Sequence, residues 1–88
     1  MIYTISFSCI ASVQRLDFGG HQWCAIGLFD GASEFYPEGN LRKNRVADMP
    51  AEVVAAVNRN FVAVFALSLD RREEFIRNFQ PQTIEVAG

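Results

Sequence analysis

The sequence predicts an α+β fold, an antiparallel meander sheet of three to four strands packed with one or two helices. Three observations carry that expectation. Apolar and polar residues alternate with period two from Ile2 to Ala11. An Asp30-Gly31 pair follows a second apolar-rich run. From Val53 onward, apolar residues recur at spacings of three and four.

In the first strand Tyr3, Ile5, Phe7, Cys9 and Ala11 share one parity, and Thr4, Ser6 and Ser8 share the other. Period two means a half-buried strand, because successive side chains point to opposite sheet faces. Ser12 to His21 loses the alternation and contains Asp17, Gly19 and Gly20, so it reads as a loop. Gln22 to Asp30 is a second strand. Asp30-Gly31 suits a two-residue type I′ turn, which needs positive φ at both central positions. Ser33 to Tyr36 is the returning strand, ended by Pro37-Glu38-Gly39-Asn40.

A two-residue turn pairs Phe29 with Ala32, hence Ile26 with Phe35 and Ala25 with Tyr36. Pairing Phe7 with Ile26 then sets Ile5 opposite Leu28 and Cys9 opposite Cys24. In this register one face collects Tyr3, Ile5, Phe7, Cys9, Cys24, Ile26, Leu28 and Phe35, the expected core. The other face carries Ile10, Trp23, Phe29 and Tyr36, more apolar than a solvated sheet face needs to be.

Leu41 to Val46 reads as an exposed loop holding Arg42, Lys43 and Arg45. Asp48 suits an N-cap, with Pro50 and Glu52 in the first turn of the helix it opens. Val53, Val54, Val57, Phe61, Val64, Phe65 and Leu69 form its apolar stripe, and Arg59 with its two flanking asparagines forms the polar side. A competing reading breaks the helix at Asn58-Arg59-Asn60 and makes Phe61 to Leu67 a buried strand. Asp70 with Glu73 resembles a capping box and starts a second helix, or a bend, over Asp70 to Phe79. Gln80-Pro81 stops it, and Thr83 to Val86 alternates as a fourth strand.

The composition narrows the function classes. The 88 residues make a single domain, 1–88. Half are apolar, which is too many for a disordered tail. A net charge of −2 gives no basic field for nucleic acid, so a nucleic-acid partner is not expected. The longest apolar run, Phe61 to Leu67, is seven residues, against about 20 for a membrane span. The N-terminus has no charged region ahead of its apolar residues, which argues against a signal peptide. Two cysteines are far below disulfide-scaffold density. These points lead to the expectation of a soluble, cytoplasmic domain.

Reactive chemistry has one candidate grouping, Cys9, His21 and Cys24. A zinc site lacks a fourth ligand, and both cysteines fall on the expected core face, where thiols are ordinarily inert. Gly19-Gly20 lacks the strand–loop–helix setting of a phosphate loop. No catalytic residue, metal ligand or cofactor is therefore assigned. The aromatic second face is the better lead, because Trp, Tyr and Arg are the residues that most often anchor interfaces. Ile10, Trp23, Phe29 and Tyr36 are the expected partner-binding anchors, with Arg42, Lys43 and Arg45 as an electrostatic contact to an acidic surface.

The small single domain, the acidic balance, the absence of catalytic motifs and the contact-rich surface together define the chain's character. In that character it resembles the small orphan proteins of bacteriophages and other mobile elements, such as anti-CRISPR proteins. The resemblance implies a stoichiometric inhibitor or regulator that occludes a host protein's working surface without turnover, and it carries over no site residue. Two other readings stand beside it. One is a homodimeric structural or ligand-binding subunit with the aromatic face as its seam. The other is a thiol-dependent or zinc enzyme built on Cys9, His21 and Cys24.

Overall fold

A computed structural model describes residues 1–28, 32–37 and 49–87. The fold is α+β, as expected, but among the described residues its sheet has five strands. Strands β1 (Ile2–Phe7), β2 (Val13–Phe18), β3 (His21–Gly27) and β4 (Ser33–Pro37) form an antiparallel meander. Helices α1 (Ala51–Phe65) and α2 (Leu69–Asn78) then carry the chain to the far edge, where β5 (Gln82–Glu85) pairs antiparallel with β1. The sheet order is β4-β3-β2-β1-β5. None of the described helices is long and apolar enough to cross a membrane.

The strand absent from the sequence reading is β2. The segment read as a loop pairs with β1 on one side and β3 on the other, so β1 and β3 never touch as neighbours. Its alternation was hidden because the inward residues are Gln14, Leu16 and Phe18 while Val13 points outward. Gln14 is fully buried all the same. Gly19 (φ 55°) and Gly20 (φ 77°) close the β2–β3 hairpin between Phe18 and His21, supplying the two positive φ angles of a type I′ turn.

The expected register of β3 is out by one residue. Ala25 lies opposite Phe35 and Ile26 opposite Glu34. The Leu28 amide donates to the Ala32 carbonyl at 3.0 Å, so three residues intervene where two were expected. The predicted Asp30-Gly31 turn itself falls outside the described residues. A one-residue slip inverts a strand. Trp23, Ala25 and Gly27 therefore share the helix-covered face with Tyr3, Ile5 and Phe7, while Cys24 and Ile26 lie on the uncovered one. Cys24 sits opposite Arg15 and Tyr36, not opposite Cys9.

Helix α1 follows Pro50, whose carbonyl accepts the Val53 and Val54 amides at 3.0 Å each. Its buried positions Val53, Ala56, Val57, Asn60, Phe61 and Val64 run at helical spacing along one face. Phe61 is helical, which removes the alternative strand. Asn60, expected on the polar side, faces inward. Its Nδ2 donates to Gln14 Oε1 (3.0 Å) and to Gln82 Oε1 (2.9 Å), and Gln14 Nε2 donates to the Val57 carbonyl at 2.9 Å. These amides key α1 to the centre of the sheet and leave no buried side-chain polar atom unsatisfied among the described residues. Ser33 Oγ also donates to Asn58 Oδ1, tying the same helix to β4.

The chain then breaks into two helices. The Ser68 carbonyl accepts the Arg71 and Arg72 amides, so α2 begins one residue before the expected Asp70. It contains no fully buried residue. Phe7 joins it to the sheet, its ring lying edge-on to Phe75 (5.8 Å) and Phe79 (4.9 Å).

Candidate functional site

At the end of the molecule where the β1–β2 turn, the end of β3 and the two helices meet, the surface is recessed and apolar. One hollow, of about 600 Å3, is bounded by Ser12, Gly27 and Leu28 from the sheet side and by Phe61, Val62 and Phe65 from α1. A second, of about 420 Å3, adjoins it beneath the Cys9–Ser12 turn and α2. Ser12, Phe65 and Arg72 border both hollows, which makes one continuous groove.

Each wall has a local cause. Gly27 lets α1 approach, because a Cβ there would lie 3.1 Å from ring atoms of Phe61 and Phe65. Those rings stack on each other with centroids 5.5 Å apart. In the turn, Ser8 Oγ accepts from the Ile10 amide (3.1 Å) and donates to the Ile10 carbonyl (3.2 Å), which holds Ile10 on the outside. Arg72 reaches back from α2 to the end of α1. Its Nε donates to the Leu67 carbonyl (3.0 Å) and its Nη2 to the Phe65 carbonyl (2.9 Å). The last turn of α1 has no basic residue of its own. The guanidinium therefore supplies the positive charge that complements the helix dipole there. It also lies over the Phe65 ring, 5.4 Å from the centroid.

The rim is apolar as well. Five large hydrophobic side chains are exposed among the described residues, and three of them border this groove: Ile10 (56%), Val62 (65%) and Leu69 (79%). Single exposed aliphatics need no explanation, whereas a group around an apolar recess makes this the candidate site.

The expected aromatic face is not assembled. Trp23 lies on the helix side, half-buried and stacked on Phe18 at 6.0 Å, in a row continued by Tyr3 at 4.5 Å from Phe18. Tyr36 lies on the opposite face, two strands away from the Ile10 turn. Phe29, Arg42, Lys43 and Arg45 fall outside the described residues. Of the expected anchors, Ile10 belongs to the groove. Val62 and Arg72 were not singled out, and Leu69, expected at the end of the apolar stripe of α1, instead opens α2 and is exposed. The signal for Val62 was an aliphatic residue off the buried stripe of α1. For Leu69 it was a lone large apolar residue heading a run of charges, Asp70 to Glu74.

Cys9, His21 and Cys24 do not converge. His21 pairs with Phe18 at one end of β3, while Cys9 lies beyond Phe7 at the opposite end of the sheet. Cys9 is exposed and Cys24 half-buried, so neither lies in the core as expected. No group of three His, Cys, Asp or Glu that could hold a metal ion occurs among the described residues. Beside the groove, the Ser68 hydroxyl and backbone amides at the start of α2 hold the Asp70 carboxyl below the usual carboxylate range. Comparison with known proteins finds no matching family model, no similar curated protein and no similar solved structure.

Proposed function

We propose that this chain is a non-enzymatic protein-binding module, a stoichiometric inhibitor or regulator of a larger host protein, and that it binds through the groove between the Ile10 turn and the two helices. The observation that carries this reading is the grouping of Ile10, Val62 and Leu69 around an apolar recess whose floor is formed by Phe61, Phe65 and Gly27. Binding energy at protein interfaces concentrates where a few apolar anchors are surrounded by groups that exclude water. The recess has that form, with Arg72 beside it as the charged element.

Comparative capture tests the reading. Val62→Asp and Leu69→Asp place charge on the rim without touching the buried face of α1. Ile2→Asp, at an exposed position on β1 far from the groove, serves as the control. The expected outcome is a partner retained by the wild type and Ile2→Asp and lost from both rim variants, with melting temperatures of the rim variants close to wild type. A partner retained by all of them places the contact elsewhere. Sedimentation of the purified protein decides the homodimeric alternative. A dimer dissociated by Val62→Asp would make the occupant a second copy of the chain.

A further inference from the structure

The inference rests on the docking reading and concerns the chemistry of what docks. Arg72 is fixed by two carbonyls and by the Phe65 ring, so its guanidinium does not swing freely into solvent. A guanidinium has five N–H donors. Two are used, and among the described residues no carboxylate pairs with the other three. The neighbouring Glu73 borders the second hollow without forming an ion pair to Arg72.

An entirely apolar partner settling over Val62, Leu69 and Ile10 would strip water from those donors and return nothing. Leaving a charged group desolvated and unpaired opposes binding strongly. An occupant that brings a planar carboxylate satisfies the same donors with charge-assisted, fork-shaped hydrogen bonds. We propose that Arg72 is a preorganised carboxylate receptor, and that the groove accepts a protein segment in which an Asp or Glu side chain is flanked by large apolar residues. A segment suits this groove better than a compact ligand, because Val62 lines the first hollow and the exposed Ile10 and Leu69 line the second, so covering all three takes an occupant that runs through both.

Selection from a random twelve-residue peptide display library on the immobilised wild-type chain tests this. The chain is net negative, so general electrostatics disfavours acidic peptides and enrichment of them cannot come from overall charge. The expected result is peptides that combine Asp or Glu with Leu, Phe or Trp and that fail to bind Leu69→Asp. Replacing their acidic residue by the corresponding amide should weaken binding about tenfold. Because that replacement is made in the peptide, it tests the receptor without disturbing the Arg72 bonds to α1. Arg72→Gln, with its fold checked by circular dichroism, should bind the acidic and amide forms alike. Peptides that require Leu69 but show no acidic preference overturn the carboxylate receptor and leave the docking surface standing. No peptide that depends on the rim overturns the docking surface, and the receptor with it.

Discussion

The two helices follow one another closely in the chain and are attached in opposite ways. Helix α1 is keyed to the sheet by six buried side chains and by the Asn60, Gln14 and Gln82 amides. Helix α2 buries no residue fully and is held by the Phe7, Phe75 and Phe79 rings and by Arg72. The contrast shows how a small domain divides its work. One helix closes the core, and the other has few inward commitments and contributes Leu69, Arg72 and Glu73 to a surface.

Asn60→Ala should show the largest effect on that contrast. It removes the donor shared by two side-chain acceptors, one of them on the fully buried Gln14. A loss of about 2–3 kcal/mol in urea unfolding is expected, because buried acceptors are left without partners. A loss under about 1 kcal/mol would mean that water replaces the amide and that α1 is held by apolar packing alone.

Phe79→Ala acts on the other attachment. The ring is half-buried, so about 1–2 kcal/mol is expected, below the range for a fully buried Phe. The sharper readout is hydrogen exchange. The amides of α2 should lose protection while those of α1 keep theirs. Equal loss in both helices would show that they open as one unit.

Ser68→Ala has the smallest effect and is confined to the start of α2. Ser68 makes no side-chain cap to the helix backbone, so the variant loses only its contact with Asp70. The Asp70 carboxyl should then titrate closer to its ordinary value when followed by NMR. A carboxylate with a lowered folded pKa stabilises the fold above its unfolded pKa, and the benefit disappears as pH falls through the folded value. The wild type should therefore hold the first turn of α2 more firmly near neutral pH, and the two proteins should converge in acid. An unmoved titration would assign the shift to the helix amides.

What could be read along the chain was whatever depends on neighbours in sequence. The alternation of β1, the stripe of α1, the stop at Pro81 and the alternation of β5 all concern residues a few positions apart, and all describe elements that are present. Strand β2 escaped because Gln14 occupies an inward position. A buried amide looks polar until Asn60 and Val57, more than forty residues away, supply its partners. The face of β3 depended on one residue of turn length, and period two turns an error of one into inversion of the whole strand. That inversion separated Trp23 from Tyr36 and dissolved the aromatic patch expected between them.

The groove lies beyond any local pattern. Its parts come from a turn, a strand end and two helices, and the local oddities of Val62 and Leu69 do not say that they meet. Sequence periodicity sufficed for the fold class and for most elements, since an apolar stripe requires something to cover it. Which surface stays open, and with what chemistry, follows from how α1 meets Gly27 and how Arg72 bridges the two helices, and those are contacts between residues the chain keeps far apart.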